Sequence, residues 1–189
     1  MSWAREVKAR AVGPPPLWLF TDQRRHPDLC AVVAALPRGL AGVVFRHDGA
    51  PGRRELALRV ARICRERRLA LVVAGDWRLA ARCHAGLHLR AGRAPLAPRG
   101  LARVSASAHG AAEIVRARAA RVAVIFVSPV FATASHPGAR GLGATRWALL
   151  ARMAPKRVAA LGGIDGDSVR RLARGGIAVG AVTALASGL

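Results

Sequence analysis

Short apolar runs recur along this chain, separated by longer segments in which apolar residues return every three or four positions. The runs are LWLF (17–20), GVVF (42–45), ALVVA (70–74), LHL (87–89), RVSA (103–106), VAVIF (122–126), RVAAL (157–161) and IAVGAV (177–182). Most are unbroken rather than alternating, the pattern of strands buried on both faces of a parallel sheet. Between them PDLCAVVAALP, RRELALRVARICRERR, WRLAARCH, GAAEIVRARAAR, TRWALLARMA and DGDSVRRLARGG predict helices. In 53–68, Leu56, Val60, Ile63 and Cys64 recur at helical spacing while arginines fill the other face, which predicts an amphipathic surface helix. Asp165 or Asp167 would open the last of these helices, and Gly175 with Gly176 would end it. The Pro-, Gly- and Arg-rich segment 89–101 carries no clear helical pattern.

Strands alternating with helices allow either a barrel or a doubly wound open sheet. Eight strand candidates favour an α/β fold of the (β/α)8 TIM-barrel type. A length of 189 residues is short for such a barrel, and only TALASGL follows the eighth run, so the last helix is expected to be truncated. Residues 1–16 are read as an N-terminal extension and 17–189 as one barrel domain.

Composition narrows the classes of function. A hydrophobic content of 52% is ample for a core and argues against a disordered chain. The formal net charge is +21, and all but two of the 31 basic residues are arginine, the exceptions being Lys8 and Lys156. Such a charge attracts phosphate backbones. Here, however, the arginines are scattered through helical segments, and aromatic residues make up only 4%, with no tyrosine to stack on bases. The pattern disfavours a nucleic-acid partner and fits a GC-rich coding bias. Cys30, Cys64 and Cys83 lie far apart and predict free thiols rather than a zinc or disulfide framework. The basic N-terminus lacks a following apolar segment, and no apolar run approaches membrane-spanning length. The expectation is a soluble cytoplasmic protein without a membrane partner; homo-oligomerisation is left open.

In a barrel the working residues sit at the C-terminal ends of the strands and in the loops that follow. Those exits carry Thr21 and Asp22; Arg46, His47 and Asp48; Gly75 and Asp76; Arg90 and Arg93; Ser105 and Ser107; Ser128, Thr133, Ser135 and His136; Gly162 and Gly163; and Thr183. The last two loops, ALGGIDGDS and IAVGAVTAL, stand where barrels often bind a phosphate on backbone N–H groups, with Gly162 and Gly163 allowing close approach.

Taken in order, LWLFTD, GVVFRHDG, VVAGDW, LHLRAG, VSASAHG, SPVFATASHPG, ALGGI and AVGAVTAL resemble the strand-end motifs of the thiamine phosphate synthase and thiazole tautomerase family, over nearly the whole chain. The resemblance implies a transferase of thiamine biosynthesis. Such an enzyme joins a pyrimidine diphosphate ester to a thiazole phosphate, with magnesium as cofactor, and releases pyrophosphate; its partners would be small phosphorylated molecules. It further implies that Thr133, Ser135, Gly162, Gly163, Val182 and Thr183 hold the thiazole phosphate, with the glycines of PGARGLG closing the loop as a lid. On the same basis Arg46 contacts the pyrophosphate, Asp76 binds magnesium, and Ser107, His109 and His136 complete the catalytic set. A tautomerase would need the phosphate site and His109 but no metal, and a non-enzymatic phosphate binder would need only the phosphate site.

The departures lie on one side. Where the family has a glutamine and a pyrophosphate-binding lysine flanking the strand-two arginine, this chain has Val44 and Asp48. The family asparagine before the metal aspartate is Gly75, the second metal aspartate falls at or near Arg93, and the lysine closing the strand-six motif is His136. The thiazole phosphate side is therefore kept better than the pyrophosphate and magnesium side.

Overall fold

A computed structural model describes residues 15–93, 103–133, 141–154, 158–165, 168, 172 and 178–181. Eight parallel strands close into a barrel in which each strand pairs with its sequence neighbours and β1 pairs with β8. The strands are β1 (Leu17–Phe20), β2 (Ala41–Phe45), β3 (Ala70–Ala74), β4 (Gly86–Leu89), β5 (Arg103–Ala108), β6 (Val124–Val127), β7 (Val158–Leu161) and β8 (Ala178–Ala181). Five helices lie among the described residues: α1 (Leu29–Ala35), α2 (Arg53–Glu66), α3 (Trp77–Arg82), α4 (Ala111–Ala119) and α5 (Gly143–Ala151). The (β/α)8 expectation therefore holds. The helix expected over 165–176 and the truncated helix after β8 fall largely outside the described residues, as do Ser135, His136, Val182 and Thr183. Asp165 and Ser168 do exchange side-chain to backbone hydrogen bonds of 2.7 and 2.8 Å, the reciprocal pairing with which a helix opens.

Two strand limits depart from the sequence pattern by two residues, and the others by no more than one. The β5 strand runs to Ala108, so Ser107, beyond the expected run 103–106, is a strand residue rather than a loop residue. The β6 strand starts at Val124, because Val122 is buried ahead of it and extends the apolar run without joining the sheet.

The period of two along each strand divides the core into two layers. Trp18, Phe20, Val44, Val72, Ala74, Val124, Phe126, Ala159 and Leu161 fill the barrel interior. Leu17, Leu19, Val43, Phe45, Val73, Leu87, Leu89, Ile125 and Val127 face outward onto buried helix residues such as Val33, Val60, Ile114 and Trp147. The interior is aromatic at its centre, with Trp18 and Phe20 both edge-on to Phe126 at ring distances of 5.5 and 4.7 Å. Gly42 admits this packing, since a Cβ there would stand 2.5 Å from the Trp18 ring.

Polar side chains enter the interior where β4 meets β5. His88 of β4 is 2% exposed, packs edge-on to Phe20 and pairs through Nδ1 with the Ser105 hydroxyl at 2.9 Å. Burial, reinforced by the Arg46 and Arg90 charges, pushes its pKa down from 6.5 to about 3. Folded His88 therefore stays neutral at pH values where the unfolded chain takes up a proton. Its contribution to stability is intact above pH 6.5 and is lost as pH falls toward 3. Thermal melts between pH 7 and 4 should show a loss of up to about 1.4 kcal/mol per pH unit from this group, flattened in His88→Asn. Equal pH slopes in parent and variant would remove His88 from this role.

Candidate active site

Because all eight strands are parallel, their C-terminal ends share one rim of the barrel, and the β2, β3 and β4 exits bring arginines and aspartates together there. Arg46, the first residue after β2, is seated by the end of β1. Its backbone N–H donates to Thr21 Oγ1 and its Nε–H to the Thr21 carbonyl, both at 3.0 Å. The guanidinium lies 5.6 Å over the ring of Phe20, which places it at the mouth of the interior. Burial lowers its pKa, and Asp22 and Asp48 oppose that shift; an arginine remains a cation throughout. Thr21 is fully buried and pairs through the same hydroxyl with His47 Nδ1 at 2.9 Å. His47 stacks on Phe45, and burial followed by the nearby His26 holds its pKa below the ordinary value, so the support beneath Arg46 is uncharged.

Beside Arg46 runs a chain of ion pairs. Arg53, the first residue of α2, donates through Nη1 to Asp76 Oδ2 at 2.7 Å and reaches Asp48 Oδ1 through Nη2 at 3.4 Å. Arg90 pairs with the other oxygen of Asp48. The Arg53 Nε–H is buried without a hydrogen-bond partner. Asp76 is also the N-cap of α3, its Oδ1 accepting the Leu79 N–H at 3.0 Å. Burial alone would raise the pKa of this carboxyl, but the Leu79 N–H and the Arg53 guanidinium outweigh it and hold the group below its ordinary value.

These residues do not fit magnesium. The ion prefers octahedral oxygen ligands, commonly one or two carboxylates completed by phosphates and waters. Here both oxygens of Asp76 are already engaged, one of them by a cation, and the position implied for a second aspartate falls at or near Arg93. Among the described residues no group of three His, Cys, Asp or Glu side chains is placed to hold a metal.

Across the rim, the β6 loop is seated on the β7 exit. Val130 N–H donates to the Leu161 carbonyl and Phe131 N–H to the Gly162 carbonyl, both at 3.0 Å. Gly162 and Gly163 have φ of 92° and 65°, and a Cβ on Gly163 would lie 2.5 Å from the Ala132 carbonyl oxygen. The close approach that these glycines allow is thus, first, that of the β6 loop itself. Thr133, half-buried, follows directly on this seat.

The other candidate residues separate. The Ser107 hydroxyl accepts the Ala91 N–H at 3.2 Å and so ties the β4 exit to β5. His109 is 56% exposed, and its ring Nδ1 and backbone N–H both meet Glu113 Oε2, at 3.0 and 2.8 Å. This is a local pairing at the start of α4. Two further residues are not singled out by the sequence pattern. Arg53 is hidden among the arginines of an amphipathic helix, although its place as the first helical residue after a strand exit marks it. His88 is hidden in an apolar run, although the strand period puts it on the inward face between Leu87 and Leu89.

A family model described as thiamine monophosphate synthase matches residues 17–185. Thiamine phosphate pyrophosphorylase from Pyrococcus furiosus is similar in structure, with a TM-score of 0.73 and 25% identity over 88% of this chain and 84% of that one. Thiamine phosphate pyrophosphorylase from Bacteroides thetaiotaomicron shares the fold at a TM-score of 0.55 and 21% identity, covering 88% of this chain and 81% of its own. A KDPG aldolase from Legionella pneumophila shares the fold at a TM-score of 0.57 and 12% identity, over 89% and 83% of the two chains. No curated protein sequence matches significantly.

Proposed function

The chain belongs to the thiamine monophosphate synthase family, and from that premise we propose that it joins a pyrimidine-methyl diphosphate ester to a thiazole phosphate, giving thiamine phosphate and pyrophosphate. In this reaction the bond between the methylene carbon and the ester oxygen breaks, and pyrophosphate leaves with the electron pair. The thiazole nitrogen forms the new C–N bond and becomes the cationic nitrogen of a thiazolium. The protein must stabilise negative charge that grows on the leaving group and must hold the nitrogen in line. The observation that carries the reading is Arg46, a fixed cation anchored twice to Thr21 at the mouth of an apolar interior. The aromatic interior below offers a planar pyrimidine an apolar floor, and in this reading Thr133, next to the seated β6 loop, holds the thiazole phosphate.

An isomerase would need a base aimed into the barrel. The exposed, Glu113-paired His109 lends that reading no support. Steady-state formation of thiamine phosphate from the two substrates, followed by chromatography with pyrophosphate release measured in parallel, tests the proposal. Equal rates for both products are expected; release of pyrophosphate without thiamine phosphate would reduce the activity to hydrolysis. Thr133→Ala should weaken thiazole phosphate binding about tenfold in calorimetry, the loss of one charge-assisted hydrogen bond. Unchanged affinity would take Thr133 out of the site.

A further inference from the structure

The proposed reaction needs positive charge on its leaving group, and the carboxylate that would hold magnesium is taken by an arginine. We propose that Arg53, with Arg46 and Arg90, does magnesium's work in this chain by binding the diphosphate directly, and that Asp48 is a resident anion which the diphosphate displaces. The inference rests on the diphosphate chemistry proposed above.

Three features carry it. Asp48 uses one oxygen on Arg53 and the other on Arg90, so it bridges two guanidiniums in the way a phosphate group would. Its side chain is 48% exposed and that of Arg90 is 55% exposed. Exposed pairs of this kind contribute at most about 1 kcal/mol, so a ligand carrying several charges can take over the arginines. Asp48 also stands in a turn where Gly49 and Gly52 hold φ of 71° and 64°, beyond the regular strand. The Asp76–Arg53 pair differs in kind. Arg53 is only 18% exposed, lies 5.8 Å over the Phe45 ring and keeps a buried Nε–H without a partner. Asp76 thus positions Arg53, and Arg53 retains donor capacity for an anion. A guanidinium lacks the coordination geometry of a metal, but its fixed planar donors match phosphate oxygens.

The test is calorimetric titration of the folded protein with inorganic pyrophosphate at about 0.15 M salt, where long-range attraction to the basic surface is screened. It is run in excess EDTA and again with magnesium. One site per chain is expected in EDTA, with affinity changed less than about threefold by magnesium. Arg53→Ala should lose about tenfold or more, and Arg53→Lys most of that, because an ammonium cannot reproduce the planar bridge. Asp48→Asn, on the exposed side of the cluster, should gain about threefold. Arg62→Ala, on the exposed face of α2, should change nothing. Binding that requires magnesium, binding at several weak sites, or an Arg53→Ala variant that folds and binds like the parent would each overturn the proposal. If thiamine phosphate forms only with magnesium and the chelated protein fails to bind pyrophosphate, the inference falls and the synthase reading stands. If the chelated protein binds pyrophosphate but no product forms under any condition, the synthase reading falls and the arginine site for diphosphate stands.

Discussion

Arg46→Ala is expected to cut kcat/KM for thiamine phosphate formation by about 100- to 1000-fold, the range seen when a fixed donor to developing negative charge is removed. The melting temperature should move little, since the side chain is a third exposed. The effect should fall mainly on kcat. Pyrophosphate gains charge as the C–O bond breaks, so Arg46 binds the transition state more tightly than the ground state. Arg46→Lys should recover only part of the loss, because the seat on the Thr21 carbonyl is built for Nε–H, and the planar guanidinium keeps its terminal nitrogens, one of them 4.0 Å from Asp22, as further donors. A fall in KM-linked binding alone, with kcat intact, would make Arg46 a docking residue and leave the leaving group to other cations.

Gly163→Val is expected to have the largest effect on stability and to abolish thiazole phosphate binding with it. Its φ of 65° suits glycine, and the new Cβ would meet the Ala132 carbonyl oxygen at 2.5 Å and Phe131 Cβ at 2.7 Å. Neither neighbour is the free end of a flexible side chain, so the β6 loop must lift off the β7 exit. A cost of about 3 kcal/mol is expected in denaturant unfolding, from backbone strain and overpacking together. Gly39→Ala is the matched control: it has a similar φ of 71° but open space around its Cβ, so it should cost only about 1 kcal/mol. Equal losses at the two positions would show that strain alone, and not the loop seat, explains Gly163.

The barrel was legible in the sequence because its strands are buried on both faces and so read as unbroken apolar runs, and because the arginine-faced helices between them carry a clear period. What escaped was information held in three dimensions. The apolar run ending at Phe126 concealed that Val122 is buried before β6 begins, since hydrophobicity reports burial and not membership of a strand. His88 escaped because one imidazole between two leucines does not break an apolar run; its partner, Ser105, lies on the adjacent strand. Arg53 escaped because an amphipathic pattern assigns every arginine of a helix to solvent, and only the barrel's closure turns the first of them toward Asp76 and Asp48. Gly162 and Gly163 were legible as a close backbone approach, while the identity of the approaching backbone was not. Asp76 was legible as a polar strand exit and an implied metal ligand. The structure shows it capping α3 and paired with Arg53.

Arginine-assisted synthase chemistry is tested most directly by rapid-quench single turnover with protein in excess over the pyrimidine diphosphate ester, saturating thiazole phosphate and excess EDTA. Thiamine phosphate and pyrophosphate should appear together, at one rate and in equal amounts, and the burst should be lost in Arg46→Ala. A folded protein that binds the thiazole phosphate yet forms no C–N bond in that time course under chelator, whether or not magnesium restores it, would contradict it.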